Sequence, residues 1–150
     1  MTARLQRPQN AAMSVSPLDH RARRALDGVR ILLVEDTADA RELLAFVLEQ
    51  CAAVVTAKGS AAEGLDAFLR ERHEIVVTDL AMPGHDGYWL LKRLREHAPA
   101  STVPAVALTA FTDRYSHEEA LARGFDAFLP KPIEPDELCR ALSQVLARAH

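Results

Sequence analysis

Five short apolar runs alternate along the chain with longer stretches in which apolar residues recur every three or four positions. The short runs predict strands buried on both faces, and the longer stretches predict helices that pack on a sheet. We predict strands over residues 29–34, 53–57, 75–78, 103–108 and 126–129. The predicted helices begin, in chain order, near Asp39, after Ser60, at Asp86, at Thr112 or Asp113, and at Glu134.

This alternation predicts an α/β fold with a five-stranded parallel sheet, doubly wound by five helices. Because parallel strands point the same way, their last residues meet at one edge of the sheet. Glu35 and Asp36 end the first strand, and Asp79 ends the third. Thr109 and Lys131 follow the last two strands. The sequence therefore predicts three carboxylates, a hydroxyl and an ammonium at the edge where open α/β sheets bind ligands.

Such a cluster of carboxylates needs a partner of opposite charge. Two like charges about 4 Å apart repel by about 4 kcal/mol at an effective dielectric near 20. A bound divalent cation removes that cost, and hard oxygen ligands favour Mg²⁺. We therefore predict a Mg²⁺ site, without excluding that a strand-terminal aspartate merely forms a turn.

The 150 residues suit one domain, but their charge is uneven. Residues 1–28 hold five Arg and two Asp, whereas residues 29–150 carry most of the acidic residues, within a net charge of −3. We predict a flexible basic tail over 1–28 and a globular domain over 29–148. An acidic domain is a poor nucleic-acid binder, because phosphate contacts dominate that affinity.

The sequence also bears on compartment and redox state. No apolar run is long enough for a membrane span or a secretion signal, so we expect a cytoplasmic protein with no membrane partner. Cys51 and Cys139 are far apart in sequence and lack metal-binding spacing. We expect them to be reduced, small apolar residues on helices.

Four of these strand ends together resemble the receiver domains of two-component response regulators. The matching stretches are the pair Glu35-Asp36, the run from Asp79 to Gly87 (DLAMPGHDG), the end Leu108-Thr109-Ala110, and Lys131-Pro132. Each stretch alone is weak, but the order and spacing of all four fit the family over about residues 29–148. The stretch Leu26-Asp27-Gly28-Val29-Arg30 is similar to the lead-in of receivers at the end of hybrid sensor kinases. The resemblance implies the flavodoxin-like strand order 2-1-3-4-5.

The resemblance also implies a chemistry. Asp79 would accept a phosphoryl group from a histidine kinase or a histidine phosphotransfer protein. Asp36 and Asp79 would bind Mg²⁺ directly, Ala81 through its carbonyl and Glu35 through water. Thr109 and Lys131 would contact the phosphoryl oxygens, and a cis Lys131-Pro132 peptide would aim the ammonium inward.

Further positions take roles from the family alone. Thr109 and Phe128 would form the conformational switch. Ala81 and Phe111 would tune hydrolysis of the aspartyl phosphate, slowly because neither orients a water. Ala40, Leu43 and Pro132 would dock the phosphodonor. A homodimer through the last two helices is left open.

Two other functions fit the same strand ends less well. A haloacid-dehalogenase-like phosphatase needs a second aspartate two residues after its nucleophile, and Ala81 and Ala38 stand there instead. A degenerate receiver would act only as an interaction module without taking phosphate. We expect no enzyme beyond self-phosphorylation and slow self-dephosphorylation.

Overall fold

The computed structural model describes residues 24–110 and 115–149, in which five strands alternate with five helices. The strands are β1 (Arg30–Val34), β2 (Val54–Lys58), β3 (Ile75–Thr78), β4 (Ala105–Thr109) and β5 (Ala127–Pro130). The helices are α1 (Ala38–Gln50), α2 (Ala61–Arg70), α3 (Gly87–Arg95), α4 (His117–Ala122) and α5 (Pro135–Ala149). None of the helices in these two ranges is long and apolar enough to cross a membrane.

The strands form one parallel sheet in the order β2-β1-β3-β4-β5, which confirms the predicted fold class and strand order. Both faces of the sheet are covered by helices. Successive side chains of a strand point to opposite sides, so neighbouring residues of one strand enter different layers of the core. Ile31 and Leu33 of β1 pack in the layer that contains α1 and α5. Leu32 and Val34 pack in the opposite layer, with α2, α3 and α4. The sheet is therefore the centre of a three-layer core.

Helix α2 packs on the sheet mainly through small residues. The helical spacing of Leu65, Phe68 and Leu69 predicts a buried stripe; the first two are partly buried against the core, but Leu69 is 53% exposed. The fully buried residues of the helix are Ala61, Gly64 and Ala67. A Cβ on Gly64 would lie 2.6 Å from a methyl group of Val34. The helix lies so close to β1 that only small side chains fit between them.

The start of α4 differs from the prediction. Ser116, not Thr112 or Asp113, is the N-cap residue, and its hydroxyl accepts a hydrogen bond from the Glu119 backbone N–H. Residues 111–114 lie outside the described ranges. The sequence did contain the signal, because Ser followed three residues later by Glu is a capping-box pattern.

Residues just before β1 belong to the core. Leu26 is fully buried, and its N–H donates to the carbonyl of Cys51. The Gly28 N–H donates to the carbonyl of Ala52 in the same way. The predicted flexible tail falls mainly on residues outside the described ranges and stays a prediction there. Residues 24–28, however, are anchored where α1 ends and β2 begins.

Cys51 and Cys139 form a disulfide, so the expectation of two reduced thiols is wrong. Cys51 follows the last turn of α1 and Cys139 lies early in α5, with their Cα atoms 6.7 Å apart. Both are fully buried in the layer that holds these two helices. The bond therefore joins α1 to α5 beneath the surface that the two helices share.

A buried histidine at the opposite end of β3 from Asp79 predicts a pH dependence of stability. Burial lowers the pKa of His73, the nearby Arg30 charge acts in the same direction, and the Glu71 carboxylate only partly offsets them. The unfolded chain therefore binds a proton at a higher pH than the folded one. Stability is complete above the ordinary value of about 6.5 and is lost as the pH falls toward the lower folded pKa.

The measurement is chemical denaturation at several values between about pH 7.5 and about pH 5.5. The free energy of unfolding of the wild type should fall across this interval. The His73→Phe variant keeps a ring beside Phe68, which stacks on His73, but has no proton to take up there. Equal losses in the two proteins would contradict the assignment to His73.

Candidate functional site

Three carboxylates converge at the carboxyl edge of the sheet, as predicted. Glu35 and Asp36 follow β1, and Asp79 follows β3, the strand next to it. One oxygen from each of the three lies within 4.8 Å of the other two. Glu35 and Asp79 are buried, and Asp36 is the most exposed of the three. This set of hard oxygen donors, partly open to water, fits a divalent cation such as Mg²⁺.

Lys131 reaches this cluster from the loop after β5. Its Nζ lies 2.5 Å from Glu35 Oε1 and 3.3 Å from Asp79 Oδ2. Burial alone would lower the pKa of Lys131, but Glu35 and Asp79 together outweigh it and hold the pKa above its ordinary value. The lysine is therefore charged at neutral pH. The peptide bond to Pro132 is cis, as expected.

The formal charge of the cluster remains negative with Lys131 in place. Three carboxylates against one ammonium leave two uncompensated negative charges, and two of the carboxylates are shielded from water. Opposite charge is most strongly attracted where solvent is excluded. A divalent cation has the opposite sign and the charge needed to balance these two negative charges.

Backbone groups fix the position of Asp79. Its N–H donates to the carbonyl of Val34, and its Oδ1 accepts from the N–H of Ala81 at 3.3 Å. A Cβ on Gly87, the first residue of α3, would lie 2.5 Å from the Asp79 carbonyl oxygen. Only glycine allows this approach of the helix start to the strand end. Asp86 caps the helix by accepting from the Trp89 N–H, as predicted.

Thr109 is fully buried at the end of β4, beside β3 in the sheet. Its carbonyl accepts a hydrogen bond from the Lys131 N–H. Phe128, on the neighbouring strand, is buried and stacks on the ring of His117 with the centroids 5.5 Å apart. Phe111 lies outside the described ranges.

An apolar groove adjoins the acidic cluster. It has a volume of about 380 Å³ and brings together Ala40, Leu43, Lys131 and Pro132, all of which were predicted at or near the site. Leu43 is 52% exposed on α1 and forms one wall. Lys131 lies in the other wall, so the same residue borders both the groove and the carboxylates.

Two contacts at the site have no signal in the sequence. Lys131 lies closer to Glu35, which was expected only near the metal, than to Asp79. Arg41 on α1 donates to the carbonyl of Glu35 at 2.8 Å and to that of Asp36 at 3.4 Å. An arginine on a helix carries no local pattern for such contacts, which depend on the path of the loop.

Comparisons with known proteins place this arrangement in a family. The model of the response regulator receiver domain matches residues 31–143. An uncharacterized 14.6 kDa protein in the sodA1 3′ region of Leptolyngbya boryana is 43% identical over 76% of this chain and 87% of that protein. Response regulator Rre1 of Synechocystis sp. is 36% identical over 80% of this chain. The chain spans 52% of Rre1, and about half of several other curated relatives.

Solved structures agree with the sequence matches. The receiver domain of the Francisella response regulator 1452 is similar, with a TM-score of 0.73 and 26% identity, over 82% of this chain and all of that one. The response regulator TrrA of Thermotoga maritima, solved in complex with Mg²⁺-BeF, has a TM-score of 0.69 and 26% identity. That match covers 78% of this chain and 98% of TrrA. The chain therefore belongs to the response regulator receiver family, the signalling domains of two-component systems.

Proposed function

We propose that this receiver takes a phosphoryl group onto Asp79 from a phosphohistidine of a histidine kinase or a histidine phosphotransfer protein. The proposal rests on one observation above all: Glu35, Asp36 and Asp79 share one small volume with the Lys131 ammonium. A degenerate receiver would have no need to hold three carboxylates together at this cost in repulsion. The phosphoacceptor function is therefore preferred over that of a phosphate-independent interaction module.

In the transfer, a carboxylate oxygen of Asp79 attacks the phosphorus atom and the bond from phosphorus to the donor imidazole nitrogen breaks. The product is an aspartyl phosphate, and the histidine leaves with its electron pair. Such transfers depend mainly on alignment and on neutralising the phosphoryl oxygens. Lys131 supplies a compact positive charge for this purpose, and the Thr109 hydroxyl supplies a hydrogen-bond donor. The contact of Lys131 with Asp79 already holds the ammonium beside this carboxylate.

Asp36 and Asp79 would hold Mg²⁺ directly, with the Ala81 carbonyl, and Glu35 would act through water. When bound, the ion neutralises carboxylate and phosphoryl charge and aligns their oxygens. TrrA, which is similar in structure, was solved in complex with Mg²⁺-BeF, and this supports the same ligand class here. Because Lys131 already pairs with Glu35, both the ammonium group and the ion would lie close to the Glu35 carboxylate.

The groove beside the cluster would receive the donor. Ala40 and Leu43 of α1 face Pro132 across it, and its surface is largely apolar. A helix that carries the phosphohistidine and a few apolar side chains would bury this surface while its imidazole reaches Asp79. Lys131, in the groove wall, would be near the phosphoryl group both before and after its transfer to Asp79.

Phosphorylation would then be transmitted through Thr109 and Phe128. The added negative charge would attract the Thr109 hydroxyl, and Phe128 would fill the space left behind. Phe128 is buried in this structure, against the His117 ring. The face formed by α4, β5 and α5 would change with it, and a homodimer through α4 and α5 is one use of that change.

The test is uptake of phosphate from acetyl phosphate by the purified chain, followed by intact mass and by phosphate-affinity gels. We expect one phosphoryl group per chain in the presence of Mg²⁺, none with excess EDTA, and lability to hydroxylamine. Beryllofluoride should bind under the same conditions. A chain that takes up no phosphoryl group and binds no beryllofluoride with Mg²⁺ present would contradict the proposal and favour the interaction module.

Once formed, the aspartyl phosphate should decay slowly, because the Ala81 side chain cannot orient a water. We expect Ala81→Asn to speed the decay by about tenfold, which corresponds to about 1.4 kcal/mol of activation free energy. Ala81→Leu introduces a side chain with the same branching as asparagine but without the amide, and it should not speed the decay. The measurement is the half-life of the phosphorylated chain after the donor is removed. An unchanged half-life in Ala81→Asn would contradict this role.

A further inference from the structure

Arg41 connects two loops at the edge of the acidic cluster. Its guanidinium donates to the carbonyl oxygens of Glu35 and Asp36, the two residues whose side chains enter the cluster. The backbone N–H of Arg41 donates to the carbonyl of the N-cap residue Thr37, which is the first hydrogen bond of α1 and places the Arg41 side chain one turn into the helix. Arg41 therefore holds the backbone of the loop that carries both acidic residues, although its own side chain is not a ligand of the cluster.

Gly59, in the loop after β2, provides the space that the guanidinium occupies. A Cβ on Gly59 would lie 2.9 Å from Arg41 Nη1 and 3.8 Å from Glu63 Oε1. Gly59 does not have a left-handed backbone, so conformational freedom does not explain the glycine. The absence of a side chain at this position leaves room for the end of the Arg41 side chain beside the loop.

We propose that Arg41 is a positioning residue for the cation site, seated by Gly59, which fixes the Glu35-Asp36 backbone so that their carboxylates converge before a cation binds. The inference rests on the proposed Mg²⁺ site and adds a residue to it. Both backbone carbonyls accept from the same nitrogen, Arg41 Nη1, at 2.8 Å for Glu35 and 3.4 Å for Asp36, which restricts how far the two peptide groups can rotate independently. Groups that orient ligands in this way typically change metal affinity by about 10- to 100-fold when removed.

The two residues provide a test by two independent routes. Arg41→Ala removes the donor. Gly59→Ala leaves every donor in place but introduces a methyl group where the guanidinium lies. The atom it meets is the end of a flexible side chain, so the guanidinium should move aside without unfolding the domain. Arg41→Lys keeps the charge and one point of donation, and should restore part of the effect.

The experiment is titration of the full chain with Mg²⁺ alone by isothermal calorimetry, for the wild type, the three single variants and the Arg41→Ala/Gly59→Ala double variant. We expect the dissociation constant to rise about tenfold in Arg41→Ala and by a similar factor in Gly59→Ala. The double variant should be no weaker than Arg41→Ala, because both changes act through one contact. Denaturation without Mg²⁺ should show all five chains folded at the titration temperature.

The outcomes separate this inference from the proposed function. If the wild type binds no Mg²⁺, the proposed function fails and the role of Arg41 fails with it. If the wild type binds but Arg41→Ala and Gly59→Ala bind equally well, only the positioning role is overturned. Effects of the two variants that add in the double variant would also overturn it, because they would then arise at separate places.

Discussion

Replacing Asp79 with asparagine is expected to reduce phosphate uptake from acetyl phosphate to the background of the assay. Asparagine keeps the size of the side chain and its place beside the Ala81 N–H, but its amide is a poor nucleophile. The fold should survive, because the Asp79 backbone contacts and the packing of Gly87 are unchanged. The measurement is intact mass after incubation with Mg²⁺ and acetyl phosphate.

Asp39→Asn is the matched control for this experiment. Asp39 lies in the first turn of α1, three residues after Asp36, but it is exposed and is not part of the acidic cluster. The same chemical change there should leave phosphate uptake at the wild-type level. Phosphate on the Asp79→Asn chain would show that another residue is the acceptor, whatever the control does.

The second large effect is expected on stability, when the disulfide between Cys51 and Cys139 is reduced. The bond closes a loop with a sequence separation of 88 residues, and it restricts the unfolded chain more than the folded one. Disulfides typically contribute about 2–4 kcal/mol, and long loops lie toward the upper part of that range. We expect the free energy of unfolding to fall by that amount in dithiothreitol, measured by urea denaturation.

The Cys51→Ala/Cys139→Ala double variant controls for the reductant itself and should have the same stability with and without it. Because both cysteines are fully buried, reduction of the native protein should be slow and should require local opening. Two free thiols detected in denaturant without reductant would contradict the disulfide. Equal stability of oxidised and reduced wild type would contradict its energetic role.

The sequence is most informative where position along a strand decides the outcome. The run Ile75–Thr78, three apolar residues and a threonine, predicts that Asp79 ends a buried strand, and parallel pairing brings that end next to Glu35 and Asp36. Strand order needs the family resemblance, because alternation alone permits several orders. The shared edge also predicts Lys131 near Asp79, and the contact is present.

The wrong predictions for the two cysteines and for Leu69 share a physical cause: both depend on how separate elements pack. The start of α4 is different, because its capping signal at Ser116 is local and was present in the sequence. Cys51 and Cys139 meet only because α1 and α5 lie side by side on one face of the sheet. Leu69 has no place in the core because Gly64 brings α2 close enough to β1 for small residues to fill the contact. Helical periodicity gives the direction of a side chain but not the distance to the neighbouring layer.

The burial of Leu26 determines at which end of the sheet the chain enters the domain. Its backbone bond to Cys51 pins the incoming chain near the amino ends of the strands, whereas Asp79 lies at their carboxyl ends. Five residues of β1 separate the two poles by about 16 Å at 3.3 Å per residue. An affinity tag, a biosensor surface or a fluorescent fusion attached directly before residue 24 would therefore lie at the far end of the sheet and leave Asp79 open to incoming phosphodonors.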